Sequence, residues 1–369
     1  DQVFIDTGVY LLTDTNQPVV WGSGDAGLPG LPVQIFGSPH ADGTRFVAPG
    51  DFVPQGQDRG MWFVNADDLD MRDLRFAGES LVFNGKGLVV SNLVLTNRAG
   101  AQNVALWLRS ESSRFQALDF SRAALSLSGL SNRVEGLRQR WAETAVYGTN
   151  VALLNSAVFT TNAGRTGIVV NAAYTVISNC AVLSTRGSAV GKLGAYPLRL
   201  GHSILVAGSG DGNAAIAWED GDLVSDWNNL LARGSAWIGV RKGKWEKLAY
   251  WQAASGQDAN SVSFEPEFQS QLTGDFHLNS LGGRWSLFLN DWDYGDTVHS
   301  PLIDLGDPGI PAGEPSPSGD RRNLGAYGGT SQASKSRPGF WLTALTQNDG
   351  GVLKGTNVTL RWRAGNAGG

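Results

Sequence analysis

The segments LDMRDLRF (69–76), LVVSNLVL (88–95), RFQALDF (114–120) and RVEGLRQ (133–139) are followed by VALLNSAVF (151–159), TVISNCAVL (175–183), LRLGHSILV (198–206) and LVSDWNNLLA (223–232). Each is a short run of alternating apolar and polar residues with a small or polar break near its middle. Aligning Leu74, Leu93, Leu118, Leu137, Ala157, Ala181, Ile204 and Leu230 gives steps of 19, 25, 19, 20, 24, 23 and 26 residues. A period in the low twenties belongs to solenoid coils. Leucine-rich repeats share it but need a Leu-x-x-Leu-x-Leu pattern with an Asn, which these segments do not keep. A β-sandwich would place tight hairpin turns between neighbouring strands. The joints here, NGKG (84–87), GLSN (129–132) and GTN (148–150), come about once per coil. A constant coil with loops of variable length is what a parallel β-helix tolerates, because inward side chains stack on their equivalents one period away. Asn92, Asn155, Asn179 and Asn228 fall at or near one corner of the repeat, where side-chain amides can pair from coil to coil. Upstream, PVQIFG (32–37), TRFVAPG (44–50) and MWFV (61–64) read as further strands, for about ten to twelve coils in all.

The composition agrees. At 369 residues a globular chain would hold two or three domains, whereas a solenoid core lengthens in one dimension. Glycine is abundant at 49 residues, and one short helix is expected at 245–254 (WEKLAYWQAA). The net charge of −5 is spread thinly, and no Lys/Arg block offers a surface that would track phosphates, so nucleic acid is not an expected partner. No apolar run reaches the ~20 residues that span a bilayer. The single Cys180 lies in an apolar stretch and reads as a small buried hydrophobe. No signal peptide precedes Asp1, and the opening DQVFIDTGVYLLT reads as the inside of a strand, as if a cap or domain preceded it.

The two ends carry more specific wording. VFIDTGVYLLT (3–13) and GSGDAGLPGLPVQIFGSPHADGTRF (22–46) resemble the first coils of large bacterial right-handed β-helix repeat proteins. DANSVSFEPEFQSQLTGDFHLNSLGG (258–283), SPLIDLGDPG (300–309) and EPSPSGDRRNLGAYGGT (314–330) are similar to the closing coil and cap of the same proteins. The likeness covers most of residues 1–334 in organisation. It implies the right-handed, pectate-lyase-like superfold and life outside the cytoplasm, without implying lyase activity. In the 300–330 zone the glycines permit a tight path, Tyr327 can plug the apolar core, and Pro308, Pro311, Pro315 and Pro317 prevent another strand from adding to an open edge. The expected organisation is a β-helix with its capping segment over 1–337. From 338 to 369 follows a short β extension, either the start of a small Ig-like β-sandwich or a docked strand pair. Asn357-Val358-Thr359 matches a glycosylation sequon and reads as chance.

Chemistry is harder to read. Asp67, Asp68, Asp70 and Asp73 form an acidic run in which alternation puts Asp68 and Asp70 on one face beside Arg72, a partial ligand set for Ca²⁺. No other cofactor is expected. Glu219, Asp220, Asp222 and Asp226 form a second cluster flanked by Trp218 and Trp227, with Trp237 following, and carboxylates beside indoles suit a sugar cleft. Thirteen tryptophans are present, most beyond residue 215. Arg138 and Arg140, beside Trp141 and Glu143, form the best basic patch. A β-helix lyase needs a base and a positive group for the enolate, and a hydrolase needs paired carboxylates. Asp220, Asp222 and Arg138 are therefore the candidate catalytic residues. His202 follows Gly201 as in polygalacturonase-type hydrolases, but their neighbouring Asp pair and Arg-x-Lys are missing, so His202 reads as a corner residue in place of Asn. The leading expectation is a non-catalytic extracellular or cell-surface module for carbohydrate contact, adhesion or spacing. The alternatives are a polysaccharide lyase or glycoside hydrolase working in a groove on one face, and a fibre unit that self-associates through its ends.

Overall fold

The structure is a computed structural model and describes residues 1–11, 19–40, 43–47, 62–78, 80–97, 104–346, 349–350, 352 and 359–367. Parts of the opening strand motif, of TRFVAPG, of MWFV and of the C-terminal extension, together with the sequon residues 357–358, lie outside these. The fold is a right-handed parallel β-helix in which regular structure is almost all β, with one α-helix, Leu248–Ser255, among the described residues. The chain forms two compact units, Asp1–Leu154 with Ile168–Val176, and Asn155–Gly167 with Ile177–Gly369.

In the first unit each coil lays down two strands separated by a corner residue, then a third strand across a loop. The first two are fused in Val89–Thr96 and Arg114–Ser121, which pair in parallel with Val89 opposite Arg114 and Leu93 opposite Leu118. On the third face Ala105–Leu108 pairs with Ala124–Leu127, which pairs in turn with Thr144–Val146. Inward columns follow from the register. Met71, Val90, Phe115, Val134 and Leu153 form one, all 2 % exposed or less. Gln139 interrupts the column below Phe120, yet its amide donates to the Ala123 and Glu143 carbonyls and accepts from Thr144 Oγ1 at 2.6 Å, so no polar group is stranded.

The corner between the first two faces demands a left-handed backbone. Asp73, Asn92, Ala117 and Gly136 hold it in successive coils, with φ of 59°, 52°, 50° and 71°. Asn92 reaches back to Asp73 Oδ1 at 2.5 Å, the coil-to-coil pairing expected of a corner amide. In the second unit Asn155, Asn179, His202 and Trp227 take the same conformation, so His202 does stand where Asn stands elsewhere. Asn228 departs from the expectation. It is the residue after the corner and turns inward to Leu200 O, Ser225 Oγ and Asp258.

The second unit differs in its strands. Ala157–Thr160, Ala181–Ser184 and Ile204–Ala207 are buried at every residue, inward and outward alike. Their outer side is covered by the C-terminal layer, where Phe276 approaches Phe159 at 6.3 Å between ring centroids. The capping segment lies along the corners rather than over an end. Gly325 N donates to His202 O, and Asn155 Nδ2 donates to the carbonyls of Ala326 and Gly328. Gly325 is required there, because a Cβ would stand 2.7 Å from Ile204 Cδ1. Tyr327 therefore does not plug the core. Its ring stacks on His277 with centroids 3.5 Å apart. The residue that closes the last coil is Trp251 of the helix, fully buried on Trp237–Val240, where a Cβ on Gly239 would collide with the indole. Trp251 Nε1 donates to Asp258, which also accepts from Ser225, Asn228 and Ser261. Segment 258–264 satisfies the strand edge beyond Leu230, whose N–H reaches Val262 O at 2.9 Å. Cys180 is fully buried, and burial pushes its thiol up to about 12.

Ala117 holds its left-handed corner without any local hydrogen bond from its side chain, at a cost of about 1 kcal/mol. Replacing Ala117 with Gly is expected to raise unfolding stability by that amount, read as a shift of the denaturant midpoint. Replacing Gly136 with Ala should lower it by a similar amount.

Candidate functional site

The sequence-derived candidates fall in three places. In the acidic run, Asp68 is a left-handed corner residue, while Asp70 is buried and both its oxygens are held by Arg72. The two carboxylates thus have separate tasks. Among the described residues no group of three or more His, Cys, Asp or Glu side chains converges as a metal site.

The Arg138 patch is a stacked one. Asp119 and Arg138 are register partners on adjacent coils, and the Asp119 carboxylate bridges Arg138 and Arg140, the latter at 2.9 Å. The guanidiniums of Arg122 and Arg140 lie 4.7 and 5.8 Å from the Trp141 ring centroid. Charge is compact here, with one carboxylate shared by two guanidiniums.

The second acidic cluster is built around a residue that no motif singles out. Lys192, buried in the strand Val190–Lys192, sends its ammonium to the carbonyls of Gly194 and Asp220. Burial lowers its pKa, against the pull of Asp220 and Asp222. A lone Lys inside the apolar run SAVGKL is the available signal in the sequence. Trp218, expected as a sugar platform, is 5 % exposed and donates to Asp220 O and Gly221 O, while Arg241 covers its ring at 3.4 Å. It offers no open face. Trp237 donates to Asp211 Oδ1, and Lys244 sits 5.6 Å from its ring. Glu219, Asp220 and Asp222 point outward around this lysine-centred knot.

Trp227 is placed differently. As a corner residue its indole projects from the coil, and it lines a cleft of about 380 Å³ together with Asn260, Arg321, Leu345, Leu360, Arg361, Trp362 and Arg363. Separate stretches of chain converge to make it. Asn260 is held by Asp226 through its N–H at 2.6 Å and its amide at 2.7 Å. Gly339–Ala344 and Trp362–Ala367 pair antiparallel, and this pair meets the rest of the unit through arginines. Arg361 donates to Asn260 Oδ1 at 3.0 Å and Ala259 O at 2.6 Å, and Arg363 donates to Gly319 O at 2.9 Å. Trp341 packs beneath, in space that Gly365 leaves open. Arg321 lies 5.9 Å from the Trp227 ring.

Positive charge dominates the cleft lining, with two carboxylates acting against it. Burial brings Arg363 down to about 10, and Arg321 adds to the effect while Asp304 and Asp320 oppose it. Arg363 Nη1 is buried without a hydrogen-bond partner among the described residues. The loop that carries Arg321 is tied by two buried carboxyl groups. Glu314 Oε1 accepts from Asn323 N at 2.7 Å and Gly329 N at 2.8 Å, and Asp304 accepts from Ser336 Oγ and Gly319 N. Burial raises both, Glu314 to about 8, and the proximity of Asp304 pushes Glu314 the same way.

No protein-family model matches this chain, and no curated protein matches its sequence. Among solved structures the chain is similar to pectate lyase Pel9A, at 13 % identity and a TM-score of 0.47 over 88 % of this chain and 87 % of that one. A rhamnogalacturonan lyase matches at 12 % identity and 0.42, over 73 % of this chain and 83 % of that one. The A-module of mannuronan C-5 epimerase AlgE4 from Azotobacter vinelandii matches at 12 % identity and 0.34, over 71 % and 77 %.

Because Glu314 titrates higher in the fold than its ordinary 4.5, its contribution to stability is complete below about pH 4.5 and is lost as pH climbs to about 8. The substitution Glu314→Gln keeps the acceptor oxygen and cannot ionise. The difference in unfolding midpoint between the Glu314→Gln variant and the native chain is expected to grow in the variant's favour from pH 4.5 to pH 8. A difference that stays flat across that window would contradict the assignment.

Proposed function

We propose that this β-helix is an extracellular module that contacts glycans without cleaving them. The observation that carries the reading is the cleft at Trp227, where two indoles and two leucines offer apolar surface beside an amide and three guanidiniums. Sugar rings present C–H faces that stack on indole and hydroxyls that need fixed donors and acceptors, and this lining has both. Support for the non-catalytic part comes from how the other charged residues are used. Asp70 is held by Arg72, Asp119 by two arginines, Asp226 by Asn260, and the carbonyls of the Asp220 loop by Lys192. Groups tied to their own scaffold are poorly suited to exchange protons with a substrate. Adhesion or spacing at a cell surface is the biological setting this fits.

One observation favours a second reading. Asp119, Arg138 and Arg140 are stacked on adjacent coils of one face beside Trp141, which is the arrangement a lyase or hydrolase groove on that face requires. In that reading Arg138 is the base, released from Asp119 by substrate.

Two measurements separate these. In a glycan-array experiment the native chain is expected to retain polysaccharides, and Trp227→Ala to lose at least about tenfold in affinity, the ~1.4 kcal/mol scale of one stacked ring. Incubation with uronate and neutral polysaccharides, with and without Ca²⁺, is expected to release no reducing ends. Release that disappears in Arg138→Ala would replace the binding reading with the enzymatic one.

A further inference from the structure

The cleft at Trp227 has a charge pattern that a neutral sugar would leave unanswered. Arg321, Arg361 and Arg363 line it together, and among the described residues none of the three is in an ion pair. Several arginines elsewhere are held by carboxylates. Arg138 and Arg140 share Asp119, Arg114 and Arg133 share Glu135, and Arg284 takes both Asp293 and Asp296. The cleft arginines instead direct their hydrogen bonds to neutral acceptors. Arg361 uses Asn260 Oδ1 and Ala259 O, and Arg363 uses Gly319 O. Asp226, the acid nearest in sequence to Trp227, is turned away on Asn260. Asp304, which faces Arg363, is buried, bonded to Ser336 and Gly319, and raised by that burial, and Asp320, also within electrostatic reach of Arg363, is exposed to solvent and makes no ion pair with it.

Holding like charges at close range around a partly buried gap is unfavourable unless an anion enters. The cavity of about 380 Å³ is of the size that accepts a ring with substituents rather than a lone ion. Its apolar lining is indole and leucine, and Trp362 is 66 % exposed, so an aromatic face is open to a ligand approaching from solvent. A guanidinium forks onto a planar carboxylate or a sulfate through two parallel N–H bonds. Arg363 Nη1, buried and without a partner among the described residues, is a donor that such a group would satisfy.

We propose that this cleft is a subsite for an acidic sugar: its ring stacks on Trp227 and Trp362, and its carboxylate or sulfate is gripped by Arg321 and Arg363 while Arg361 and Asn260 form the wall. The inference rests on the glycan-contact reading above and deepens it. It places recognition at the C-terminal strand pair rather than on an open sheet face. It also gives Trp227 a task that explains an aromatic residue in a left-handed corner, a position that Asn, Asp or Gly fills at lower strain.

The test is isothermal titration of the full chain with matched pairs of oligosaccharides. One pair is an oligogalacturonide and its carboxyl-reduced counterpart, and the other is a sulfated galactan oligomer and its desulfated form. Poly-glutamate is added as an acidic chain without sugar rings. The acidic member of at least one pair is expected to bind about tenfold or more tighter than its neutral twin, and the preferred pair tells carboxylate from sulfate. Arg321→Ala and Trp362→Ala, both at accessible positions, should each weaken that binding about tenfold. Arg199→Ala, which removes the same charge from an exposed strand position elsewhere in the unit, should leave it unchanged. Equal binding of acidic and neutral twins would overturn the acidic-sugar subsite and leave the glycan-contact reading standing. Absence of binding to any sugar would overturn both. Poly-glutamate binding as tight as the acidic sugar would overturn the sugar assignment in favour of an acidic peptide. Equal losses in Arg199→Ala and Arg321→Ala would show bulk charge and remove the site.

Discussion

The structure depends on a left-handed residue at one recurring corner of its coils. In eight successive coils the chain turns sharply between the first two faces by a backbone step into the region that Gly, Asn and Asp visit most readily. Asp73, Asn92, Ala117 and Gly136 supply that step in the first unit, and Asn155, Asn179, His202 and Trp227 in the second. With the corner fixed, the register of the strands on either side is fixed too, and every inward column follows from it. The same corner sets the direction of whatever side chain it carries. Asn92 uses it to pair with the coil before, Asn155 to anchor the capping segment, and His202 to accept from Asp307 N at 3.3 Å. At Trp227 the outward direction produces one wall of a cleft. The proposed recognition at this site is thus a side effect of a folding constraint that has been given a different residue.

What was legible in the sequence is what repeats. The alternation in RFQALDF reports one buried and one open face, and its recurrence at 19 to 26 residues reports the coil. A second layer was also written there. In AVFT, AVLS and ILVA the alternation disappears because both faces are buried, and unbroken apolar runs are the usual mark of such strands. The alignment slips by one residue at Ala157, which lies two residues after its corner where Leu137 lies one, and again where the repeat ends. Asn229, not Leu230, lies opposite Ile204, in the outward column that the C-terminal layer covers, and its amide pairs with Phe264 N and O. A rule that follows apolar columns fails at a polar residue that closes the stack. The helix was legible too, although it begins at Leu248, three residues after the expected start.

The sites were less legible for a physical reason. Clusters contiguous in sequence, such as Glu219 to Asp226, fall in turns and at strand ends, where carboxylates serve the backbone and side chains of the scaffold. Asp220 accepts from Gly221 N, and Asp226 from Trp227 N and Asn260. Trp218 has the sequence surroundings of a platform because it adjoins acids, but alternation in Ala214–Trp218 points it inward. Lys192 is hidden by the opposite bias, since a single charge in an apolar strand attracts little notice until its carbonyl partners are seen.

The Trp227 cleft shows the same limit from the other side. Its residues come from positions 227, 260, 321, 345 and 360–363, and no spacing rule connects them. They meet because Arg361 and Arg363 dock the strand pair onto Ala259, Asn260 and Gly319, which brings their remaining donors to the Trp227 corner. Docking by ion pairs would have neutralised those guanidiniums. Docking by bonds to carbonyl and amide oxygens leaves their charge intact and directed into the gap. The choice of neutral acceptors is therefore what separates a structural contact from a receptive one. By that criterion the Asp119 patch is tied to its own carboxylate, whereas the cleft keeps three guanidiniums outside any ion pair among the described residues, with Asp304 and Asp320 opposing them only at longer range.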